Sequence, residues 1–143
     1  MKVLNLIIKQ KYFDAIMQGR KVQEFREVRP TTIKKLLQLD ENGYEVEDEY
    51  GNAQPIKYDA IRFYVGYNPD RDSALVEVKD AYCEMFTRDV IDEHGNVVMD
   101  ENGQPQQELI EYEYNGELWY AEQVVFNLGK ILESDIKPKT RKG

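Results

Sequence analysis

At 143 residues, 41% hydrophobic and 11% aromatic, the chain is long and apolar enough for one soluble domain with a substantial core, which excludes a disordered polymer. Its net charge of −8 excludes a uniformly basic coat for nucleic acid. The charge is lopsided: Met1 to Leu37 carry nine Lys or Arg against Asp14, Glu24 and Glu27, and the other 24 carboxylates face ten cations in the remainder, so a local anion site in the first third stays open. No run approaches the ~20 apolar residues of a membrane span. Met1 to Lys9 is too short and too soon interrupted for a signal peptide, so a cytoplasmic protein without membrane contact is expected. The lone Cys83 has no partner for a disulfide, a redox motif or a zinc site, and is expected to be a buried structural thiol; no cofactor and no metal are expected.

Residues 3–9 alternate, with Leu4, Leu6 and Ile8 on one face against Val3, Asn5 and Ile7, and read as a half-buried strand. Tyr12, Phe13, Ile16 and Met17 follow at helical spacing through residues 10–18, and Gly19 stands where a helix needs a residue that tolerates positive φ in order to stop. From Lys21 onward the pattern is a strand without a clean apolar face. Val22, Glu24, Arg26 and Val28 share one side, and Lys21, Gln23, Phe25 and Glu27 the other. A strand that merely completes a core alternates better than this, so any site is expected to begin at residues 19–26.

Read as Gly-x-Lys-x-x-Glu-x-Arg directly after an amphipathic helix, residues 19–26 resemble the pattern of the ASCH domain, a PUA-like β-barrel family. The opening strand, the helix Lys11-Tyr12-Phe13-Asp14-Ala15-Ile16 and a closing strand over 123–128 support the resemblance, which covers the N-terminal third and the middle strands but not the insertions. It implies an α+β domain built on a small PUA-like β-barrel.

Pro30 ends the motif strand, and Thr32 is placed to cap a short helix whose Ile33, Leu36 and Leu37 form a core-facing stripe. Asp40-Glu41-Asn42-Gly43 turns the chain, and residues 44–56 are acidic and turn-rich, a hairpin or loop on the barrel. Ile61, Phe63, Val65 and Tyr67 alternate with Ala60, Arg62 and Tyr64 in a strand closed by Asn68-Pro69-Asp70. A long strand from Ala74 to about Thr87 is able to bend around a small barrel. Residues 89–117 read as an insertion of short segments punctuated by Asp92-Glu93-His94-Gly95, Asp100-Glu101-Asn102-Gly103 and Asn115-Gly116. Its carboxylates lack the alternation of a calcium loop, and turns are expected there in place of metal; His94 is expected to be an exposed turn residue. Both insertions, about 39–55 and 89–117, are expected to protrude as acidic β-hairpins. Val124, Phe126 and Leu128 alternate with Gln123 and Asn127 in the closing strand, where Gly129 permits a bend. The domain is expected to span residues 1–136, with residues 137–143 a basic tail, either solvated or a nucleic-acid-binding arm.

At the motif, Arg26 offers a planar fork for a phosphate or carbonyl, Lys21 a point charge at the mouth of the strand, and Glu24 an acceptor for the amino groups of a base. Glu24 and Arg26 fall on one face, whereas Lys21 joins them if it lies in the turn. A structural Glu24–Arg26 ion pair holding the barrel to the first helix is the alternative that spacing alone leaves open. The resemblance implies RNA or a nucleotide as partner, a modified nucleoside among the candidates, with single-stranded bases stacking on Tyr12, Tyr64 and Tyr67. Some family members are similar to amidohydrolases acting on acylated cytidine and others have been proposed as ribonucleases, which makes Lys21 and Glu24 candidate catalytic groups. In the deacylase-like members a threonine stands where this chain has Glu24, and a carboxylate from a later segment completes the site. A carboxylate does not replace a hydroxyl as acyl acceptor, and the acidic insertion offers no register for the later carboxylate. A third reading makes the acidic hairpins a docking surface for a basic protein.

Overall fold

The computed structural model describes residues 1–138. Its elements run β1 (Val3–Ile8), α1 (Gln10–Met17), β2 (Gln23–Val28), α2 (Ile33–Leu36), β3 (Ala60–Val65), β4 (Ser73–Met85), β5 (Thr87–Asp89), β6 (Gln107–Leu109), β7 (Glu111–Tyr114), β8 (Glu117–Tyr120) and β9 (Glu122–Asp135). This is the expected α+β class, sheet-rich with two short helices. A five-stranded sheet has the order β1-β3-β4-β9-β2, and β5-β6 and β7-β8 form separate two-stranded ribbons. Strands β1 and β3 are parallel, and the other pairings of the main sheet are antiparallel.

The expected β-barrel is not closed by main-chain pairing, because β1 and β2 are the two edges of an open sheet. Register shifts between β4 and β9 at Leu75/Val76, Val76/Val78 and Val78/Asp80 bend the long strands, as extra residues in one strand of a ladder do. The edges still meet through a side chain. Arg26 Nη2 on β2 donates to the main-chain carbonyl of Ile7 on β1 at 2.9 Å.

The core lies on the inner face of this curled sheet, where Leu4, Leu6, Ile8, Ile61, Phe63, Val124 and Phe126 meet Phe13 and Ile16 of α1 and Ile33, Leu36 and Leu37 around α2. Helix α1 ends as its sequence requires. Gly19 has φ +75, its N–H reaches the Ile16 carbonyl and the N–H of Arg20 reaches that of Ala15, which is the paired bonding of a Schellman stop. The cap expected at Thr32 is absent: its hydroxyl accepts the Arg29 N–H and donates to the Glu27 carbonyl, tying the turn after β2 and not the first turn of α2. The closing strand is longer than expected, running on to Asp135, and the register shift between Val76↔Ile131 and Val78↔Leu128 falls at Gly129, where a bend was expected. Lys137 is the last cation placed before the described residues end, and the remainder of the basic tail lies outside them. No helix among the described residues is long and apolar enough to cross a membrane.

The two acidic insertions contain the same small module. In the first, Gln38, Val46 and Gln54 close a ring of main-chain hydrogen bonds: Gln38 N–H to Gln54 O, Gln54 N–H to Val46 O, Val46 N–H to Gln38 O. In the second, Val90, Val98 and Gln106 repeat the ring with the same directions. The flanking pairs correspond position for position: Leu37–Pro55 with Asp89–Gln107, Leu39–Glu45 with Ile91–Val97, and Glu47–Ala53 with Met99–Pro105. Each module holds two Asp-Glu-x-Gly turns, in which Asp40, Asp48, Asp92 or Asp100 accepts the main-chain N–H groups two and four residues ahead, the bonding that makes Asp a turn residue.

The copies differ in burial, which corrects the expectation that both insertions protrude. The first module docks: Leu37 and Ala53 are buried in the core and Leu39 packs against it. The second stands out in solvent, with Ile91, Val97 and Met99 all exposed. Leu37→Ala is therefore expected to cost roughly 2–5 kcal/mol in a urea titration, the range for truncating a buried leucine. Ile91→Ala is expected to stay within about 0.5 kcal/mol of wild type in the same titration.

Candidate functional site

The Schellman stop of α1 delivers Lys21 in a turn, its N–H bonded to the Ala15 carbonyl at 3.1 Å, which is the placement that lets it join β2's inner face. Along β2 the faces fall as the sequence pattern implies: Glu24 and Val28 are buried, Arg26 is half-buried, and Phe25 and Glu27 are exposed. Glu24 is 6% exposed and both of its oxygens are engaged. Oε1 lies 3.6 Å from Lys21 Nζ and accepts the Phe25 N–H at 3.0 Å, while Oε2 lies 3.3 Å from Arg26 Nη2. Lys21, Glu24 and Arg26 therefore form one cluster. The structural ion pair is also present, but Arg26 fastens β2 to β1 through Ile7 and not to the helix. Arg26 Nε is buried with no hydrogen-bond partner among the described residues.

Two aromatic rings flank the lysine. Lys21 Nζ is 5.8 Å from the centre of the Tyr12 ring and 5.3 Å from that of Phe25, within cation–π range, and both rings are 44% exposed. Lys21 also borders a cavity of about 360 Å³ with Gly19, Val22, Leu128 and Gly129, which neither ring lines. Glu24 and Arg26 do not border it. Of the three expected tyrosines, Tyr12 is the one whose ring meets the Lys21 ammonium. Tyr64 stacks with the Arg71 guanidinium at 4.1 Å, and Tyr67 stands exposed after β3. Phe25 was not among the expected binding residues, although its outward position next to Glu24 was readable from the alternation of β2.

A second polar site went unread in the sequence. Glu122 opens the inward row Glu122, Val124, Phe126, Leu128 of β9, is 7% exposed, and meets Glu45 of the first module. The pair borders a cavity of about 410 Å³ together with Cys83, Met85 and Trp119. Burial, then a hydrogen bond and the charge of Glu45, push the Glu122 carboxyl up to about 8. Burial, then the charges of Glu122 and Glu45, push the Cys83 thiol up to about 12, which leaves it a poor nucleophile, as expected of a structural thiol. The readable signal was a carboxylate in phase with three buried apolar residues. Its partner Glu45 comes from a distant turn that no local pattern connects to it. Glu122 pairs with Val28 and Glu24 with Phe126, so the two buried glutamates sit about 13 Å apart along the strands, and Glu122 does not reach Lys21. Among the described residues no three His, Cys, Asp or Glu side chains gather around a point where a metal would sit.

The carboxyl pair gives stability a pH dependence of definite sign. Glu122 holds its proton to about 8 in the folded chain against 4.5 for the free group, so within that window the folded state binds more protons than the unfolded one. Stability then falls as pH rises from 4.5 to about 8 and levels off above it. Glu122→Gln is expected to remove this fall and to raise the thermal midpoint at pH 8. A thermal melt series on both proteins across that window checks it, and parallel curves would contradict the pairing.

No protein-family model, curated protein or solved structure matches this chain, so the reading of both sites rests on their own geometry.

Proposed function

We propose that the chain is an ASCH-like domain of PUA-like build, acting in the cytoplasm, that binds a nucleotide or a single-stranded RNA segment at the Lys21 cluster. The observation that carries this reading is the Lys21 ammonium within cation–π range of the half-exposed Tyr12 and Phe25 rings, on a residue that also borders a cavity. Stacked bases need aromatic faces and their phosphates need a cation, and the cluster offers both within one side-chain length. Glu24 and Arg26 act as the brace that fixes Lys21: a lysine alone would sweep many rotamers, whereas one held to a buried carboxylate keeps its direction.

Binding describes the site better than hydrolysis. A nucleophile or general base needs a lone pair free to approach substrate, and Glu24 is 6% exposed with its oxygens already facing Lys21, Arg26 and the Phe25 N–H. The surplus carboxylates elsewhere repel nonspecific duplex, so affinity is expected to be weak and salt-sensitive.

Ribonucleotides, acylated cytidines and short RNAs are to be titrated against wild type, Tyr12→Ala and Lys21→Ala, scoring both binding and product. Tyr12→Ala is expected to weaken binding by about tenfold, the lower part of the ~1–3 kcal/mol that one stacked base contributes. Lys21→Ala is expected to weaken all ligands alike and to lower the salt slope by about one. Equal weak binding by the three proteins would end the reading. Release of acid from an acylcytidine, lost in Lys21→Ala, would replace it with an amidohydrolase.

A further inference from the structure

The two modules are one structure in two settings, and the first setting shows what the shared face is for. In the first copy the side chains of Leu37, Leu39, Ala53 and Pro55 turn toward the body of the domain, where all four are buried or packed on the core. Glu45 on the same face reaches Glu122. The equivalents of Leu39, Glu45, Glu47 and Ala53 in the second copy are Ile91, Val97, Met99 and Pro105. Over the six face positions Glu45 and Glu47 have become Val97 and Met99 while Leu37 and Pro55 have become Asp89 and Gln107, so the apolar side chains of this face gather at Ile91, Val97 and Met99. Yet Ile91 is 52%, Val97 41% and Met99 54% exposed. A module that needed no cover would be expected to keep polar residues there, since scattered polar substitution of exposed apolar positions costs little. The charged residues of the segment other than His94 are all acidic. Asp89, Asp92, Glu93, Asp100 and Glu101 occur in residues 89–107 with no Lys or Arg.

We propose that the second module, residues 89–107, docks a polypeptide segment that presents apolar side chains flanked by Lys or Arg. The apolar face selects a partner with its own apolar side chains, as the core does for the first copy. The acidic residues select the sign of the flanking charge and speed encounter. A nucleic acid would meet five carboxylates at close range and is repelled. The first module is placed differently, because Leu39 and Ala53 of its equivalent face pack on the domain core and Glu45 meets Glu122. The surface is independent of the Lys21 cluster, so partner binding there and nucleotide binding at Lys21 stand or fall separately.

A displayed library of random short peptides, selected on the full chain, tests this. Enriched peptides are then titrated against wild type, Ile91→Ser/Met99→Ser and Glu93→Gln/Glu101→Gln. The matching pair in the first module, Glu41→Gln/Glu49→Gln, serves as control. The expected peptides combine apolar residues with Lys or Arg, lose about tenfold or more in affinity to each second-module variant, and bind the control as they bind wild type. The substituted side chains are solvent-exposed, so all four proteins are expected to fold. No enrichment, or peptides indifferent to the serine pair, would overturn the proposal. So would concentration-dependent self-association of the wild type that the serine pair abolishes, because the face would then belong to a second copy of this chain.

Discussion

An open sheet leaves unpaired carbonyls and N–H groups on its two edge strands, and in this fold a single guanidinium spans the gap between them. Arg26 on β2 reaches the Ile7 carbonyl on β1 while its charge is met by Glu24 on the same strand. Edge strands are commonly covered or blunted to prevent pairing with other chains; here the seam is bridged from inside. Glu24 is consequently buried, and a buried carboxylate needs partners for both oxygens. Lys21, placed by the glycine stop of α1, is one of them. The seam, the brace and the candidate binding lysine are therefore one constraint, and disturbing Arg26 would disturb Lys21 without touching it.

The same economy of parts explains why the chain carries one module twice. A ring of three main-chain hydrogen bonds and two Asp-anchored turns satisfies most of the module's own backbone, so it folds without a long ladder and tolerates either setting. Against the sheet it closes one end of the core and brings Glu45 onto Glu122. In solvent the identical frame displays whatever its face carries. A scaffold that is neutral to its surroundings is free to vary at Leu39 and Glu45 in one copy and at Ile91 and Val97 in the other, and at the second of these positions the apolar residue is the exposed one.

What was legible beforehand was local. The Gly19 stop, the faces of β2 and the stripe of Ile33, Leu36 and Leu37 depend on neighbours in sequence, and the periodicity of the chain states them. The curl of the sheet depends on register slips between β4 and β9, whose residues lie far apart in the chain, and alternation alone carries no register. Thr32 misled because its hydroxyl has two uses near a helix start, and the turn after β2 took it. The modules were partly legible. Three of the four Asp-Glu-x-Gly turns stand out, but Asp48-Glu49-Tyr50-Gly51 does not until it is counted eight residues after Asp40, as Asp100 is after Asp92.

The distribution of charge follows from these placements. A carboxylate surplus is tolerable where each group is either a turn anchor in water or one half of a protonated pair, and costly where two ionised groups share a dry cavity. Asp40, Asp48, Asp92 and Asp100 are of the first kind, each with its Oδ1 taken by main-chain N–H groups. Glu45 and Glu122 are of the second. Placing the acidic first module against the end of the sheet thus favours a proton on Glu122, and the module's grip on the domain weakens as that proton leaves. In the basic third of the chain, Lys21 has Glu24 as its partner and two rings within cation–π range. Solvent and salt screen that ammonium from carboxylates more than about 10 Å away, so a chain of net charge −8 still presents a local cation.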